Sequence, residues 1–305
     1  MNNVEKNLLK VVADMTEKPT GAYNIRADGK GVERFSTPNI QIISKEDQPG
    51  IIIKVAPGTK GESVHIPVIM TKSGEYDKVY NDFEIGEGAQ VEIVAGCGIH
   101  NCGCDTSQHD GIHTFYIGKG AKVTYVEKHY GEGEGTGARV LNPTTIVNMD
   151  EESYCEMEMV QIKGVDSTLR ETKAYLQKGA KLVVTEKLMT HDQQVAESNM
   201  SIYLEGEDAA TQIVSRSVAK NASKQVFHPS AIGNNKCKAH IQCDAIIMDE
   251  AKVRSIPEIE ANHQDAQIIH EAAIGRINNE QLIKLQTLGL TEEEAEAVII
   301  DTFLS

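Results

Sequence analysis

The sequence contains no tryptophan and only five phenylalanines, and aromatic residues make up 5% of its 305 residues. It is also poor in basic residues: Lys and Arg total 30, Asp and Glu total 45, and the formal net charge is −15. Binding to nucleic acid requires a basic surface that displaces counterions, and an anionic membrane repels an acidic chain. We therefore expect no nucleic acid and no membrane among its partners.

Long apolar segments are missing as well. The longest apolar runs, such as IIIKV and AIIM, fall far short of the ~20 residues that a membrane-spanning helix needs. The first residues, MNNVEKNLLKVVADMTEK, have neither the apolar core nor the small-residue cleavage site of a signal peptide. We therefore expect a cytoplasmic protein whose six cysteines stay reduced, which favours metal or redox chemistry over disulfides.

Several motifs for catalysis or nucleotide binding are absent. The sequence has no phosphate cradle of the form G-x-x-x-x-G-K-S/T and no G-x-S-x-G nucleophile elbow. The glycine-rich run at 131–137 carries acidic residues that would repel phosphate, and it predicts a flexible loop. The polar stretch from Asp166 to Glu171 is typical of a solvated face. Because the sequence has no phosphate cradle, any nucleotide energy must come from a partner.

The sequence does contain short β-branched runs from Ile40 onward, separated by turns with glycine. A phrase recurs among them: GAQV at 88 returns as GAKV at 120 and as GAKL at 179, with degenerate copies at 152 and 250. The copies at 88, 120 and 152 are 32 residues apart, and the next step is 27. A repeat of this size without a helical pattern inside it predicts a β-solenoid, and a β-sandwich is the alternative.

Helical patterns occur only at the two ends of the chain. Apolar positions between residues 4 and 15 predict an amphipathic helix, followed by an exposed connecting arm. Two short helices are predicted near the end, one over about 279–288 after Asn278 and one after the capping box that begins at Thr291. We therefore divide the chain into an N-terminal helix and arm at 1–35, a β-solenoid core at 36–275 and a C-terminal helical tail at 276–305.

The densest group of nitrogen and sulfur ligands lies between residues 96 and 115. Its candidate metal ligands are Cys97, His100, Cys102, Cys104, His109 and His113. Their spacing, C-x2-H-x-C-x-C, is not that of a zinc finger. Three interpretations stay open: a structural zinc site, an entry site for iron or sulfur, and a loop of unligated thiols.

A second candidate is Cys243. If its segment is a strand, Cys237, Ala239, Ile241 and Cys243 share one face, because side chains alternate with period two. A thiolate is a soft ligand for iron, zinc or copper(I), and an imidazole suits the same ions. The alternative is that Cys243 is a small buried apolar residue.

Four runs in the last quarter of the chain resemble the C-terminal half of the SufB/SufD family, whose members are scaffolds for iron–sulfur cluster assembly. The runs are QCDAII at 242–247, SIPEIEA at 255–261, HEAAIGRI at 270–277 and EQLIKLQTLGLTEEEAEAVI at 280–299. The resemblance implies a right-handed parallel β-solenoid, a C-terminal helical tail and a SufC-like ABC-type ATPase partner. The cysteine-rich segment at 97–104 is not general in that family.

The resemblance also implies roles for three residues. Cys243 falls on the cluster-associated cysteine of the SufB branch, and Glu271 falls on the carboxylate ligand candidate of that branch. His270 falls on the histidine that the SufD branch contributes at the subunit interface. Because His270 and Glu271 are adjacent, we expect them to face opposite ways on a regular strand.

Our first hypothesis is a non-enzymatic, homodimeric scaffold that carries a transient iron–sulfur cluster. It would bind the ATPase through the C-terminal helices and pass clusters to apo iron–sulfur acceptor proteins, with zinc or iron as further cofactors. A carbohydrate-active β-solenoid enzyme is the alternative, with Glu127, Glu186 and Glu258 as its acids. Scarce aromatic residues count against it, since sugar-binding grooves commonly use aromatic platforms. A zinc-binding structural solenoid is the third hypothesis.

Overall fold

The computed structural model describes residues 2–305, and every side chain among them except those of Ile162 and Asn279. Strands make up 57% of the chain and helices 11%, and the strands stack as about eight turns of a β-solenoid. One helix precedes the solenoid and two follow it. This confirms the predicted fold class. Nearly all neighbouring strands are parallel, which excludes the alternative of an antiparallel sandwich.

The elements are given in chain order. The helices are α1 (Asn3–Ala13), α2 (Asn279–Thr287) and α3 (Glu292–Leu304). The first strands are β1 (Ala22–Ala27), β2 (Lys30–Phe35), β3 (Ile40–Ser44), β4 (Gly50–Val55), β5 (Glu62–Met70), β6 (Tyr76–Ile85), β7 (Gln90–His100), β8 (Ser107–Ile117), β9 (Lys122–Glu132), β10 (Arg139–Leu141) and β11 (Thr144–Met149). The remaining strands are β12 (Tyr154–Lys163), β13 (Ser167–Leu176), β14 (Lys181–Thr190), β15 (Val195–Leu204), β16 (Ala209–Ala219), β17 (Lys224–Gly233), β18 (Cys237–Ile247), β19 (Lys252–Ser255), β20 (Glu258–Ala261) and β21 (Gln267–Gly275).

Two sheets form the walls of the solenoid, because successive strands alternate between them. Sheet A follows the order β2-β1-β5-β7-β9-β12-β14-β16-β18-β21. Sheet B follows the order β19-β17-β15-β13-β10-β8-β6-β4-β3, with β11 between β8 and β13 and with β20 beside β17. Each coil therefore contributes one strand to each wall.

The repeated phrase marks one position in each of four successive coils. Gln90, Lys122, Tyr154 and Lys181 stand beside one another in the ladder of sheet A. This confirms the repeat and its degenerate copy at 152. The copy at 250 belongs to the other wall, because Lys252 pairs with a strand of sheet B.

Alternation along each strand separates the interior from the surface. On β14, for example, the side chains at even positions from Leu182 to Thr190 are buried, and those between them are less so. The largest interior side chains stack on those of the next coil: the rings of Phe83 and Phe115 lie 4.3 Å apart, and Tyr125 meets Phe115 edge to face at 5.0 Å. The core is therefore one continuous column along the solenoid axis.

The N-terminal helix packs on the outer face of sheet A. It begins with a capping box between Asn2 and Glu5, and it buries Leu8 and Val12. Gly96 on β7 permits this contact, because a Cβ atom there would come within 2.0 Å of the carbonyl oxygen of Val12. The helix ends at Asp14, whose φ of 54° is left-handed.

The expected exposed arm after this helix is instead a hairpin of β1 and β2 that extends sheet A. Ala22, Tyr23 and Ile25 are buried in it, so part of this segment belongs to the core. The prediction of an arm was wrong because few apolar residues mark this segment, and its alternation is short.

The two C-terminal helices begin where the sequence predicts. Asn278 caps α2, and Thr291 with Glu294 forms a capping box on α3. Ile300 of α3 packs against Val218 and Met248 of the solenoid. Among residues 2–305, no helix is both long and apolar enough to cross a membrane.

Candidate functional site

The last coil brings a cysteine and a histidine together. β18 turns Cys237, Ala239, Ile241 and Cys243 inward, as the alternation predicts. The Sγ atom of Cys243 lies 3.3 Å from Nε2 of His270 on the neighbouring strand β21. The structure thus joins two of the three residues that the resemblance singles out.

Burial sets the charge of this pair. It raises the pKa of the Cys243 thiol to about 11, against a weaker lowering effect of the Ser255 hydroxyl. It also lowers the pKa of His270. At neutral pH the thiol is therefore protonated and the imidazole is neutral, which is the form in which an imidazole binds metals. A metal ion that binds here must displace the thiol proton.

Glu271 lies on the opposite face of sheet A. Its side chain is 64% exposed, and its Oε2 atom lies 3.5 Å from Nε2 of His240 on the outer surface. His270 and Glu271 face opposite ways, as expected of adjacent residues in a strand. Within one chain, Glu271 therefore does not join Cys243.

The Cys243–His270 pair lies beside an open sheet edge. β21 is the last strand of sheet A, and it has one neighbouring strand in the described part of the chain. Three isoleucines near this end of the solenoid are exposed: Ile259 by 46%, Ile269 by 56% and Ile274 by 41%. An unpaired strand edge with apolar side chains around it favours pairing with another chain.

The six candidate ligands between residues 97 and 113 lie in separate places. Cys97 and His109 face the interior, where Nδ1 of His109 lies 3.2 Å from Oδ2 of Asp77. His113 is also inside, with its Nδ1 atom 2.8 Å from the hydroxyl of Tyr125. These three side chains line one small cavity inside the solenoid, together with Glu127 and His129.

The other three candidate ligands are on the outside. Cys102 and Cys104 are exposed, and the Sγ atom of Cys102 lies 3.0 Å from Nε2 of His100. Cys97 and His100 are three positions apart on one strand, so they point to opposite faces. In the part of the chain that the structure describes, no group of three or more His, Cys, Asp and Glu side chains is arranged to hold a metal ion. The six residues therefore do not form one metal site.

A buried ionic cluster that the sequence analysis missed fills the middle of the solenoid. Arg170 on β13 forms ion pairs with Glu127 on β9 and with Glu186 on β14. These three residues are exposed by 3%, 1% and 4%. The hydroxyls of Ser198 and Ser215 donate to the two carboxylate oxygens of Glu186, at 2.8 Å and 3.0 Å.

The charges of this cluster compensate one another. Burial by itself raises the pKa of Glu127, but the Arg170 guanidinium and the neighbouring imidazoles outweigh it and hold that pKa well below its usual range. Burial lowers the pKa values of His113 and His129 to about 4, so both are neutral at pH 7. At pH 7 the Arg170 guanidinium is therefore the positive charge that keeps the buried Glu127 carboxylate ionised.

The sequence does contain a signal for this cluster. The polar neighbours of Arg170 predict a solvated face. The alternation along β13, however, places Arg170 on the same face as Ala174 and Leu176, which are buried. Apolar residues further along the same strand were the better guide to its orientation.

The cluster also bears on the carbohydrate-active alternative. Glu127 and Glu186 are enclosed within the solenoid and bonded to Arg170, whereas Glu258 is exposed on β20 with His228 as its partner. Paired acids for glycoside hydrolysis must flank a substrate in a groove. These three carboxylates do not.

Comparison with known proteins gives a consistent result. A family model described as the SufBD core domain of SUF-system iron–sulfur cluster assembly matches residues 70–303. An iron–sulfur cluster assembly SufBD family protein of Archaeoglobus fulgidus is 28% identical over 85% of this chain and 69% of its own length. One of Methanothermobacter thermautotrophicus (strain Winter) is 29% identical over 93% of this chain and 69% of its own. One of Methanocaldococcus jannaschii is 34% identical over 60% of this chain and 58% of its own.

The ionic cluster yields a stability prediction. Arg170→Met leaves the buried Glu127 carboxylate without its cation, and we expect a loss of about 3–5 kcal/mol in the free energy of unfolding. The measurement is urea-induced unfolding followed by circular dichroism. The control is Lys54→Met, which removes the exposed ion pair with Glu84 and should cost less than about 1 kcal/mol. Equal losses in the two variants would contradict a structural role for Arg170.

Proposed function

The chain belongs to the SufBD family of iron–sulfur cluster assembly proteins, and we propose that it is a non-enzymatic scaffold that holds a nascent cluster at Cys243 and His270. The observation that carries this proposal is the 3.3 Å approach of the Cys243 thiol to the His270 imidazole at the open end of the solenoid. The cluster is cargo here: it is built, held and passed to an acceptor protein.

The number of ligands supports a site shared by two copies. One chain supplies one thiol and one imidazole at this point, which is too few to hold a cluster. Two copies supply two cysteines and two histidines, a set that holds two-iron, two-sulfide clusters of the Rieske type. A site with two imidazoles also binds less firmly than four thiolates, which suits a carrier that must release its cargo.

The open edge supplies the means of pairing. Two β21 strands can pair edge to edge about a two-fold axis, because a symmetric dimer uses the same surface on both copies. Such pairing covers Ile269 and Ile274 and brings the two Cys243–His270 pairs close to each other. Glu271 faces the outer surface, so within its own chain it does not reach Cys243.

The energy source is a separate protein, because the sequence has no phosphate cradle. We assign the docking of a SufC-type ABC ATPase to the C-terminal helices. α3 is anchored on the solenoid by Ile300 and by an ion pair between Lys220 and Glu296 at 3.5 Å. α2 packs on α3, and it and its C-terminal cap expose Ile283 by 57% and Leu288 by 80%. These apolar side chains are the proposed contact.

The cluster site is tested by replacing its ligands. After anaerobic reconstitution with iron and sulfide, Cys243→Ser and His270→Ala should each retain at most about a tenth of the iron and acid-labile sulfide of the wild-type dimer, because removal of a ligand weakens metal binding strongly. The control is Cys237→Ser, which removes a thiol from the same face of β18 and should leave both contents unchanged. Wild-type contents in Cys243→Ser would contradict the site.

The partner site is tested on the exposed face of the tail. The double variant Ile283→Asp and Leu288→Asp should weaken capture of the ATPase at least about tenfold, since it places charge in an apolar contact. Val32→Asp is the matched control, because Val32 is an exposed apolar residue (52%) near the opposite end of the solenoid. Affinity is measured with the purified ATPase by titration calorimetry. Unchanged affinity in the double variant would exclude this contact.

A further inference from the structure

A thiol outside the proposed cluster site has the surroundings of a nucleophile. Cys102 lies in the exposed connection between β7 and β8. Its Sγ atom is 3.0 Å from Nε2 of His100, and Nδ1 of His100 is 3.1 Å from Oε1 of Glu132. The second carboxylate oxygen of Glu132 accepts a hydrogen bond from the hydroxyl of Tyr130 at 3.1 Å. The thiol of Cys102, the imidazole of His100 and the carboxylate of Glu132 thus form one chain of hydrogen-bond contacts.

Stacking of successive coils places His100 and Glu132 side by side. His100 is the last residue of β7, and it pairs in register with Glu132, the last residue of β9. The two residues are one repeat apart, so the solenoid fixes the distance between their side chains. Each of these two side chains is 24% exposed, which shields the imidazole from bulk water while Cys102 remains accessible.

The loop that carries Cys102 is held in one conformation. Asn101 is fully buried, and its amide nitrogen donates to the carbonyl oxygens of Asp105 at 2.9 Å and Gly137 at 3.1 Å. Its amide oxygen accepts from the backbone nitrogen of Gly103 at 3.0 Å. Because Asn101 and Gly103 flank Cys102, these bonds fix the backbone on both sides of the thiol.

The glycine-rich run at 131–137 packs against this loop, which corrects its prediction as a flexible loop. A Cβ atom at Gly135 would lie 2.3 Å from the carbonyl oxygen of Gly103, and one at Gly137 would lie 2.1 Å from that of Asp105. The glycines are therefore needed for a close approach of two backbones. They help to hold the loop in place.

We propose that Cys102 is a nucleophile, that His100 is its general base and that Glu132 is the positioning residue. The carboxylate holds the proton of His100 on Nδ1, which leaves Nε2 free to accept the thiol proton. Nucleophile, base and orienting group within hydrogen-bond reach are the arrangement that activates a thiol.

The substrate class follows from the proposed function, on which this step rests. Cluster assembly consumes sulfide, and a thiolate accepts sulfur by attack on the outer sulfur of a persulfide, in the manner of thiol–disulfide exchange. Cys102 forms a new S–S bond as the S–S bond of the donor persulfide breaks. The donor leaves as a thiolate and receives from His100 the proton that Cys102 gave up. The products are a Cys102 persulfide and the donor thiol, with no net oxidation.

Cys104 is an internal control for this proposal. It lies in the same loop, two residues away, and is also exposed. Among the described residues no imidazole or carboxylate bonds to its thiol. Accessibility alone therefore predicts equal reactivity of Cys102 and Cys104, whereas the proposed arrangement predicts that Cys102 reacts faster.

The experiment measures persulfide transfer from glutathione persulfide to the full-length chain under anaerobic conditions, followed by mass spectrometry. Cys104→Ser should accept sulfur at the rate of the wild type, and Cys102→Ser should lose the fast phase. His100→Ala should slow this phase about 100-fold, the size of a general-base contribution, and added imidazole should restore part of it. Glu132→Gln should slow the reaction, and Glu132→Asp should recover part of the rate.

Equal rates for Cys102→Ser and Cys104→Ser would overturn the proposal, and so would a rate in His100→Ala equal to that of the wild type. Failure here is separable from failure of the cluster site. Cys102→Ser should still hold a cluster reconstituted from iron and free sulfide at Cys243 and His270, while Cys243→Ser should still form the Cys102 persulfide.

Discussion

Every inward side chain in this protein must be enclosed by the coil above and the coil below, because a single coil cannot bury its own face. This constraint, combined with the period of two along each strand, decides the position of every group discussed above. It stacks Phe83 on Phe115, encloses Arg170 between two glutamates, and turns Cys243 and His270 inward together. At the last coil this constraint is not met, because β21 has one neighbouring strand among the described residues.

The incomplete coil links the fold to the function. At its beginning the solenoid is closed by antiparallel hairpins, β1–β2 and β3–β4, which end the sheets without a parallel strand edge. At its other end β21 is left open beside the Cys243–His270 pair. A cluster scaffold needs a site whose ligands are held in place before the full ligand set is present. An open end with half of that set provides such a site. Under the proposed function, a second copy completes both the sheet and the ligand set.

Much of this arrangement is predictable from the sequence, because it depends on strict periods. The repeat gives the stacking of Gln90 on Lys122, and alternation gives the inward turn of Cys243 and the outward turn of Glu271. The same repeat places Glu132 beside His100. What the sequence does not show is the path of the chain where these periods stop. The hairpin at β1–β2 and the loop around Asn101 depend on individual contacts. The repeat and the alternation therefore do not predict where their side chains lie.

The most direct test of the cluster site is to observe the imidazole ligand itself. The protein is labelled with nitrogen-15 histidine, reconstituted anaerobically and reduced, and the cluster is examined by pulsed electron paramagnetic resonance. The account predicts a strong coupling from a directly bound nitrogen in the wild type, lost in His270→Ala and kept in His240→Ala. A wild-type cluster without nitrogen coupling, or a coupling that persists in His270→Ala, would contradict it.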